Sequence, residues 1–386
     1  MNITKVTNLV LSVLLIFGSL TVNAADKAQF STEPTTNNGQ RWRIGYYEGG
    51  EYIEYQKLFI ETIRGMMGLG WIEKTEIPPQ SGEQTREFWQ WISNNLKSDY
   101  VEFVKDAHYT AEWNDDLRVK TAAEVMERLS NKQDLDLMVA MGTWAGEDLA
   151  NDNHSVPTMV ISASDPLSAG IIESVEDSGR DHIHATLDPN LHDRQLRVFH
   201  DLVGFKRLGV AYEDTVTGRS YAAMDVVEKL GGELNYQVVS CHTKSDISDT
   251  NVAEGSVINC FEKLAQSTDA IYVTSQGGVN MSSLPKLVKI ANTHHIPTFS
   301  QTGPEEVKYG VLLSLSRAGY RYIGVFHAQT FAKVFNGAHP NQLDQLFEEP
   351  PKMAVNLSTA GVIGFNPPLL LLGAADEIYE EILLAE

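Results

Sequence analysis

The chain has 386 residues, a formal net charge of −21 at pH 7, 42% hydrophobic residues and two cysteines. So acidic a surface repels nucleic acid and anionic lipid, which excludes both as partners and leaves small molecules and other proteins. The length exceeds what one hydrophobic core organises and predicts about two domains.

Residues 1–24 read "MNITKVTNLVLSVLLIFGSLTVNA". Lys5 precedes an apolar run that carries no charge until Asp26, and Val22 and Ala24 are small residues three and one positions before a cut between Ala24 and Ala25. This is the layout of a cleaved secretory signal peptide. Asn8, Ser12, Ser19 and Thr21 leave the run too short and impure for a bilayer span, which needs roughly 20 apolar residues. The expected location is therefore the periplasm. No cysteine follows the run closely, so no lipid anchor on cysteine is expected. Residues 25–40 are polar and rich in Asn and Thr, and read as a mobile lead-in.

From there the chain alternates. "RWRIGYY" reads as a strand, and "YQKLFIETIRGMMGLG" as a helix with Leu58, Phe59, Ile63 and Met66 at helical spacing. "YVEFVKDAHY" alternates as a strand, and "NDDLRVKTAAEVMERL" is a helix with Asn or Asp at its cap. "LDLMVAM" is a strand, "AGEDLAND" a helix and "VPTMVISA" a strand. Alternating strands and helices imply an α/β fold with parallel sheets covered on both faces.

The same order recurs in the second half. "RWRIGYYEG" is echoed by "FKRLGVAYED", "DLDLMVAMGTWAG" by "STDAIYVTSQGG", and "NHSVPTMVISASDP" by "THHIPTFSQTGP". Three pairs in register indicate two halves built on one βαβ plan, and the period is far too long for a solenoid. In open α/β sheets, ligands bind at loops off the carboxyl ends of the strands. Two such lobes can face each other across a cleft. The candidate ligand-binding residues are therefore the strand ends: Tyr46, Tyr47, Glu48 and Gly49; Thr143 and Trp144; Ser164 and Asp165; Glu213, Asp214 and Thr215; Ser275 and Gln276; and Gln301. Tyr46, Tyr47 and Trp144 would form a stacking wall. Asp165 or Glu48 would pair with an ammonium, and helix N-termini would suit a carboxylate. Trp144→Ala is expected to weaken binding with little change in fold.

Cys241 and Cys260 are close enough in sequence to form a disulfide in an oxidising compartment, or to stand as two small buried thiols. The "HIH" at 182–184 has no complementary ligands nearby, so no metal is expected. Neither a phosphate-binding loop nor a Gly-x-Ser-x-Gly nucleophile elbow occurs. No catalytic residues and no cofactor are expected.

From "IGYYEGG" to "GFNPPLLLLGAADEIYEEI" the chain resembles a bacterial family of ABC transporter substrate-binding proteins, which includes receptors for tryptophan and other aromatic amino acids. The most specific segments are "SDPLSAGII" and "NLSTA…PPLLL…ADEIYE". The resemblance implies a type I periplasmic binding protein fold: two Rossmann-like lobes with parallel sheets, a hinge of several crossings, and a ligand held between the lobes. It assigns 42–166 plus about 300–340 to an N-terminal lobe, with an insertion at about 71–100. About 185–298 plus 351–386 form the C-terminal lobe. Deleting 71–100 is expected to leave a folded, ligand-binding protein. The implied function is non-enzymatic: capture of an amino acid or related aromatic compound by a monomer that delivers it to the membrane permease of an ABC importer. The alternative is a subunit that passes ligand occupancy to a membrane sensor kinase or cyclase. Family members often carry a small residue or proline at the position of Trp144, and aspartate at that of Gln276.

Overall fold

A computed structural model describes residues 30–316, 319–348 and 351–383. The leader at 1–24 and residues 25–29 of the lead-in lie outside the described residues. Among those described, no helix is long and apolar enough to cross a membrane.

The first half runs β1 (Trp42–Glu48), α1 (Ile53–Gly68), α2 (Arg86–Asn95), β2 (Val101–Thr110), α3 (Asp115–Glu127), β3 (Leu137–Met141), α4 (Gly142–Leu149), β4 (Thr158–Ile161) and β5 (Ile183–Ala185). The second runs α5 (Leu191–Val203), β6 (Arg207–Tyr212), α6 (Val216–Tyr221), α7 (Met224–Leu234), β7 (Gln237–His242), α8 (Thr250–Leu264), β8 (Ala270–Val273), α9 (Leu284–Thr293), β9 (Thr298–Ser300), α10 (Pro304–Lys308) and β10 (Leu313–Ser316). The remainder is α11 (Tyr320–Phe335), β11 (Lys352–Asn356), α12 (Leu357–Ile363), α13 (Leu369–Ala374) and β12 (Glu377–Tyr379).

The strands form two sheets, ordered β2-β1-β3-β4-β5 and β12-β11-β10-β9-β8-β6-β7. All pairings are parallel except β10 with β11. The duplicated plan is visible in the order itself: β2-β1-β3-β4 in one sheet is repeated as β7-β6-β8-β9 in the other. Helices cover both faces, so β3 is buried at every position, as expected of a central parallel strand. Sequence signals mark the boundaries well. Asn114 caps α3 by accepting the Leu117 N–H at 2.9 Å.

Three connections cross between the lobes: after β5, after β10 and after α11. The last two carry α11 back to the first lobe, where it lies along α1. Their contact is close because both helices present glycine. A Cβ at Gly65 would stand 2.8 Å from the Gly324 carbonyl oxygen, and one at Gly324 would stand 2.5 Å from the Glu61 backbone. The expected lobe boundaries are corrected here. Residues 300–316 belong to the second sheet, because β10 pairs with β9 through Leu313 and Phe299. The part that returns to the first lobe runs from α11 to about Leu343, with Ala338 and Leu343 in that lobe's core. Conversely β5 pairs with β4, which extends the first sheet past 166 to Ala185.

Residues 71–100 are not a decoration. Trp71, Phe88, Trp89 and Ile92 are at most 2% exposed and belong to the first lobe's core. Phe59 of α1 stacks on Trp89 at 5.9 Å, and the Trp89 indole donates to the Val104 carbonyl at 3.1 Å.

Cys241 at the end of β7 and Cys260 on α8 are bonded to each other. The bond ties the edge strand of the second sheet to a covering helix across a sequence separation of 19 residues. Replacing both cysteines by serine should lower unfolding free energy by about 2–4 kcal/mol, through greater freedom of the unfolded chain. Denaturant melts of the two proteins check this. Coincident curves would mean that the bond adds nothing.

Candidate functional site

The carboxyl ends of strands from both sheets open on one cleft of about 1160 Å³. Its first-lobe wall carries Tyr52 and Tyr55 from the start of α1, Trp113 after β2, and Trp144 in the first turn of α4. Its second-lobe wall carries Tyr221 at the end of α6, Asp246 after β7 and Glu306 in α10.

Glu48 ends β1 on the cleft floor and is 1% exposed. Its Oε2 accepts from the Tyr46 hydroxyl at 2.8 Å and from Thr85 Oγ1 at 2.8 Å. Thr85 has thereby spent its proton, so His108 Nε2, at 2.9 Å from the same hydroxyl, must be the donor there. Burial lowers His108 to about 4 and so keeps its ring neutral. Burial also pushes Glu48 up to about 7, against the pull of the Thr85, Tyr46 and Thr110 hydroxyls.

Asp246 faces it from the other lobe. Its Oδ2 accepts from Trp144 Nε1 at 3.0 Å, and its Oδ1 from the Tyr221 hydroxyl at 3.1 Å. Burial, with the nearby Glu213 carboxylate, raises Asp246 to about 6. The Trp144–Asp246 bond joins the lobes directly. So do the Tyr52 and Ser275 hydroxyls at 2.9 Å, and Thr217 Oγ1 donating to Glu147 Oε1 at 3.0 Å.

Trp144 is therefore less open than a stacking platform. The Arg118 guanidinium lies 4.6 Å over its ring, and Trp113 meets it edge-on at 5.3 Å. The side chain is 4% exposed. The expectation of little change in fold on its removal is corrected by that burial. The backbone is fitted just as closely at two places. Gly142 has φ +84°, and a Cβ there would stand 1.9 Å from the Tyr55 hydroxyl oxygen. At Gly49 a Cβ would stand 2.8 Å from the Trp113 ring.

Of the strand-end residues singled out from sequence, the structure brings Glu48, Thr143, Trp144, Ser164, Ser275, Gln276 and Gln301 to the cleft. The others lie elsewhere. Tyr46 and Tyr47 are fully buried on opposite faces of the first sheet, in separate cores, and form no wall. The reason is the two-residue alternation of a strand with both faces covered. The Tyr47 hydroxyl donates to Asp148 at 2.6 Å. Gly49 makes room for Trp113 and does not line the cleft. Asp165 accepts from the Leu167 and Ser168 N–H groups, which makes an Asx turn. Thr215 caps α6 through the Gly218 N–H at 2.9 Å. Glu213 supports Asp246 by accepting its N–H at 3.1 Å. Asp214 stands 3.9 Å from His242 near the surface.

The two glutamines are at the cleft but committed to protein. Gln276 accepts from Thr243 and donates to the Ala211 carbonyl, both at 2.7 Å. Gln301 accepts from the Ser275 N–H and donates to the Tyr221 carbonyl, also at 2.7 Å. They hold loops in place.

Sequence reasoning missed Tyr52, Tyr55, Trp113, Tyr221, Asp246 and Glu306. The carboxyl-end rule that found Trp144 applies equally to β2 and β7, whose following loops hold Trp113 and Asp246. Tyr55 and Tyr221 stand on helices and carry no such signal, whereas Tyr52 lies in the loop after β1, where the rule applies as well.

A sequence profile described as ABC transporter substrate binding protein matches residues 81–378. A curated relative, a tyrosine-binding protein of Clostridioides difficile strain R20291, is 28% identical over 163 residues. That match covers 42% of this chain and 44% of the relative, so it spans less than half of either. Among solved structures, a conserved domain protein from Vibrio cholerae O1 biovar El Tor superposes with a TM-score of 0.66 at 17% identity, covering 88% of this chain and 100% of that one. An ABC domain from Streptococcus pneumoniae, solved in complex with L-Trp, gives 0.63 at 18% identity, covering 87% and 99%. These likenesses establish the type I periplasmic binding fold.

Proposed function

The chain belongs to the ABC transporter substrate-binding protein family, and from that premise we propose that it captures an amino acid or related aromatic compound between its lobes and delivers it to the membrane permease of an ABC importer. The observation that carries this reading is the cleft: aromatic side chains and carboxylates converge on it from both lobes. The partial match to a tyrosine-binding protein supports the same ligand class. A signal peptide over residues 1–24 fits a receptor that works in the periplasm.

In this reading the aromatic part of the ligand lies among Tyr52, Tyr55, Trp113 and Tyr221, where offset or edge contacts stabilise it beyond area burial alone. Its ammonium pairs with Glu48 and Asp246, and the bonds between lobes form as the cleft closes. Closure also strips water from the ion pair and strengthens it.

Affinity should depend on pH with a definite sign. Glu48 and Asp246 are held up at about 7 and about 6. Below those values they are protonated and cannot pair with a cation. A bound ammonium favours the charged carboxylates, so binding releases protons. Affinity for an ammonium ligand should therefore rise from pH 5.5 to pH 7.5 and then level off. Glu51 beside Glu48 and Glu213 beside Asp246 act in the same direction. A flat calorimetric affinity profile over that range would remove these carboxylates from the ligand's partners.

The direct test is a thermal-shift screen of the chain from residue 25 onward against amino acids, aromatic amines, sugars and vitamins. A ligand that binds only the native state raises the melting temperature. Shifts confined to amino acids and aromatic amines are expected. Shifts only with sugars or vitamins would overturn the reading.

A further inference from the structure

The charges of the cleft do not balance, and their imbalance says more about the ligand. Eleven Asp and Glu side chains line it against Lys57, Arg86 and Lys352. Two of these cations are already engaged at the rim, Arg86 with Glu112 at 3.1 Å and Lys352 with Glu377. Lys57 lies 5.8 Å over the Tyr320 ring.

Three interior carboxylates make no ion pair among the described residues: Glu48 in the first lobe, and Asp246 and Glu306 in the second. Glu48 and Asp246 are held only by neutral donors, the hydroxyls, indole and N–H groups described above. Glu306 is likewise held by neutral groups, the Ser300 and Thr302 side chains, which leave part of it unmet. Its Oε2 is buried at the cleft wall and has no hydrogen-bond partner among the described residues. A buried carboxylate oxygen left without a donor is destabilising, and a donor arriving with the ligand would relieve it. Burial holds the Glu306 carboxyl up at about 7 against the pull of the Ser300 and Thr302 side chains, and Glu54 adds to the rise from the first lobe.

A neutral amino acid fits this lining poorly. Its ammonium satisfies one carboxylate, but its own carboxylate is then enclosed by the rest. We propose that the cleft selects net-cationic amines: compounds whose positive centres are not cancelled by a carboxylate, as in an arylalkylamine, a diamine or a basic amino acid. The claim rests on the amine-binding reading given above and narrows it by charge. Glu48 and Asp246 hold one ammonium between the lobes, and Glu306 holds a donor group at the other end of the cleft.

Matched pairs test it: tyrosine against tyramine, tryptophan against tryptamine, and ornithine against putrescine. Each would be titrated calorimetrically into the chain from residue 25 onward at pH 7.5, with each partner differing only by the carboxylate. The amine should bind at least tenfold more tightly in every pair that binds, and added salt should weaken it. Glu306→Gln should reduce that preference while the melting temperature of the free protein holds or rises. Equal or tighter binding of the zwitterion overturns the charge selection but leaves the amine-binding reading intact. Silence from both members of every pair, in a protein that melts cooperatively, overturns the two together.

Discussion

A chain in which residues 71–100 are replaced by a short linker should fail to fold its first lobe. The segment supplies Trp71, Phe88, Trp89 and Ile92 to the core, and losing a single large aromatic from a core typically costs about 3–5 kcal/mol. Three aromatics and an isoleucine together match or exceed the roughly 5–15 kcal/mol by which a domain is stable. The deletion would also uncover the face of β2 on which α2 packs, and remove Thr85 from Glu48. Circular dichroism should show loss of helix beyond the ten residues of α2. Limited proteolysis should digest the first lobe while the disulfide-tied second lobe persists. A cooperative melt near the full-length temperature would show that the segment is dispensable after all.

Trp144→Ala should weaken ligand binding by about 100-fold and also lower stability by about 3 kcal/mol, because the ring is nearly covered. Two contacts go at once. The indole N–H no longer bridges to Asp246, and the ring no longer fills the space between Arg118 and Trp113. Trp144→Phe separates them: it keeps most of the apolar volume and loses the hydrogen bond. A bond to a charged acceptor contributes about 1.5–3 kcal/mol, so the Phe variant should bind about tenfold or more weakly with little loss of stability. Wild-type affinity in Trp144→Phe would mean that the bond between lobes plays no part in capture.

The sequence pattern disclosed the fold because its signals are local and repeated. Strand and helix periodicity, the Asn114 cap and three echoed segments suffice to imply two similar sheets, and the shared strand order repeats that plan in three dimensions. The returns of α11 to the first lobe and of β10 to the second sheet are long-range choices. They depend on a glycine pair, Gly65 with Gly324, and on a ladder between Leu313 and Phe299 that no local window contains. The cleft was legible in part. The ends of β1, β3, β4, β8 and β9 were found by one rule, but the rule cannot tell a side chain aimed at a ligand from one spent on its own loop. Asp165, Gln276 and Gln301 look alike in sequence to a binding residue and are committed to turns and carbonyls. Tyr46 and Tyr47 precede the strand end by two positions and one, enough to place both inside.

The central claim is that one ligand is clamped between both lobes, and hydrogen exchange tests it most directly. Amide exchange of the chain from residue 25 onward would be followed by mass spectrometry with and without saturating tyramine. The account predicts slowed exchange at 143–146 in the first lobe and 245–250 in the second together, at ligand concentrations matching the calorimetric affinity. Protection confined to one lobe, or appearing only away from the cleft, would contradict it.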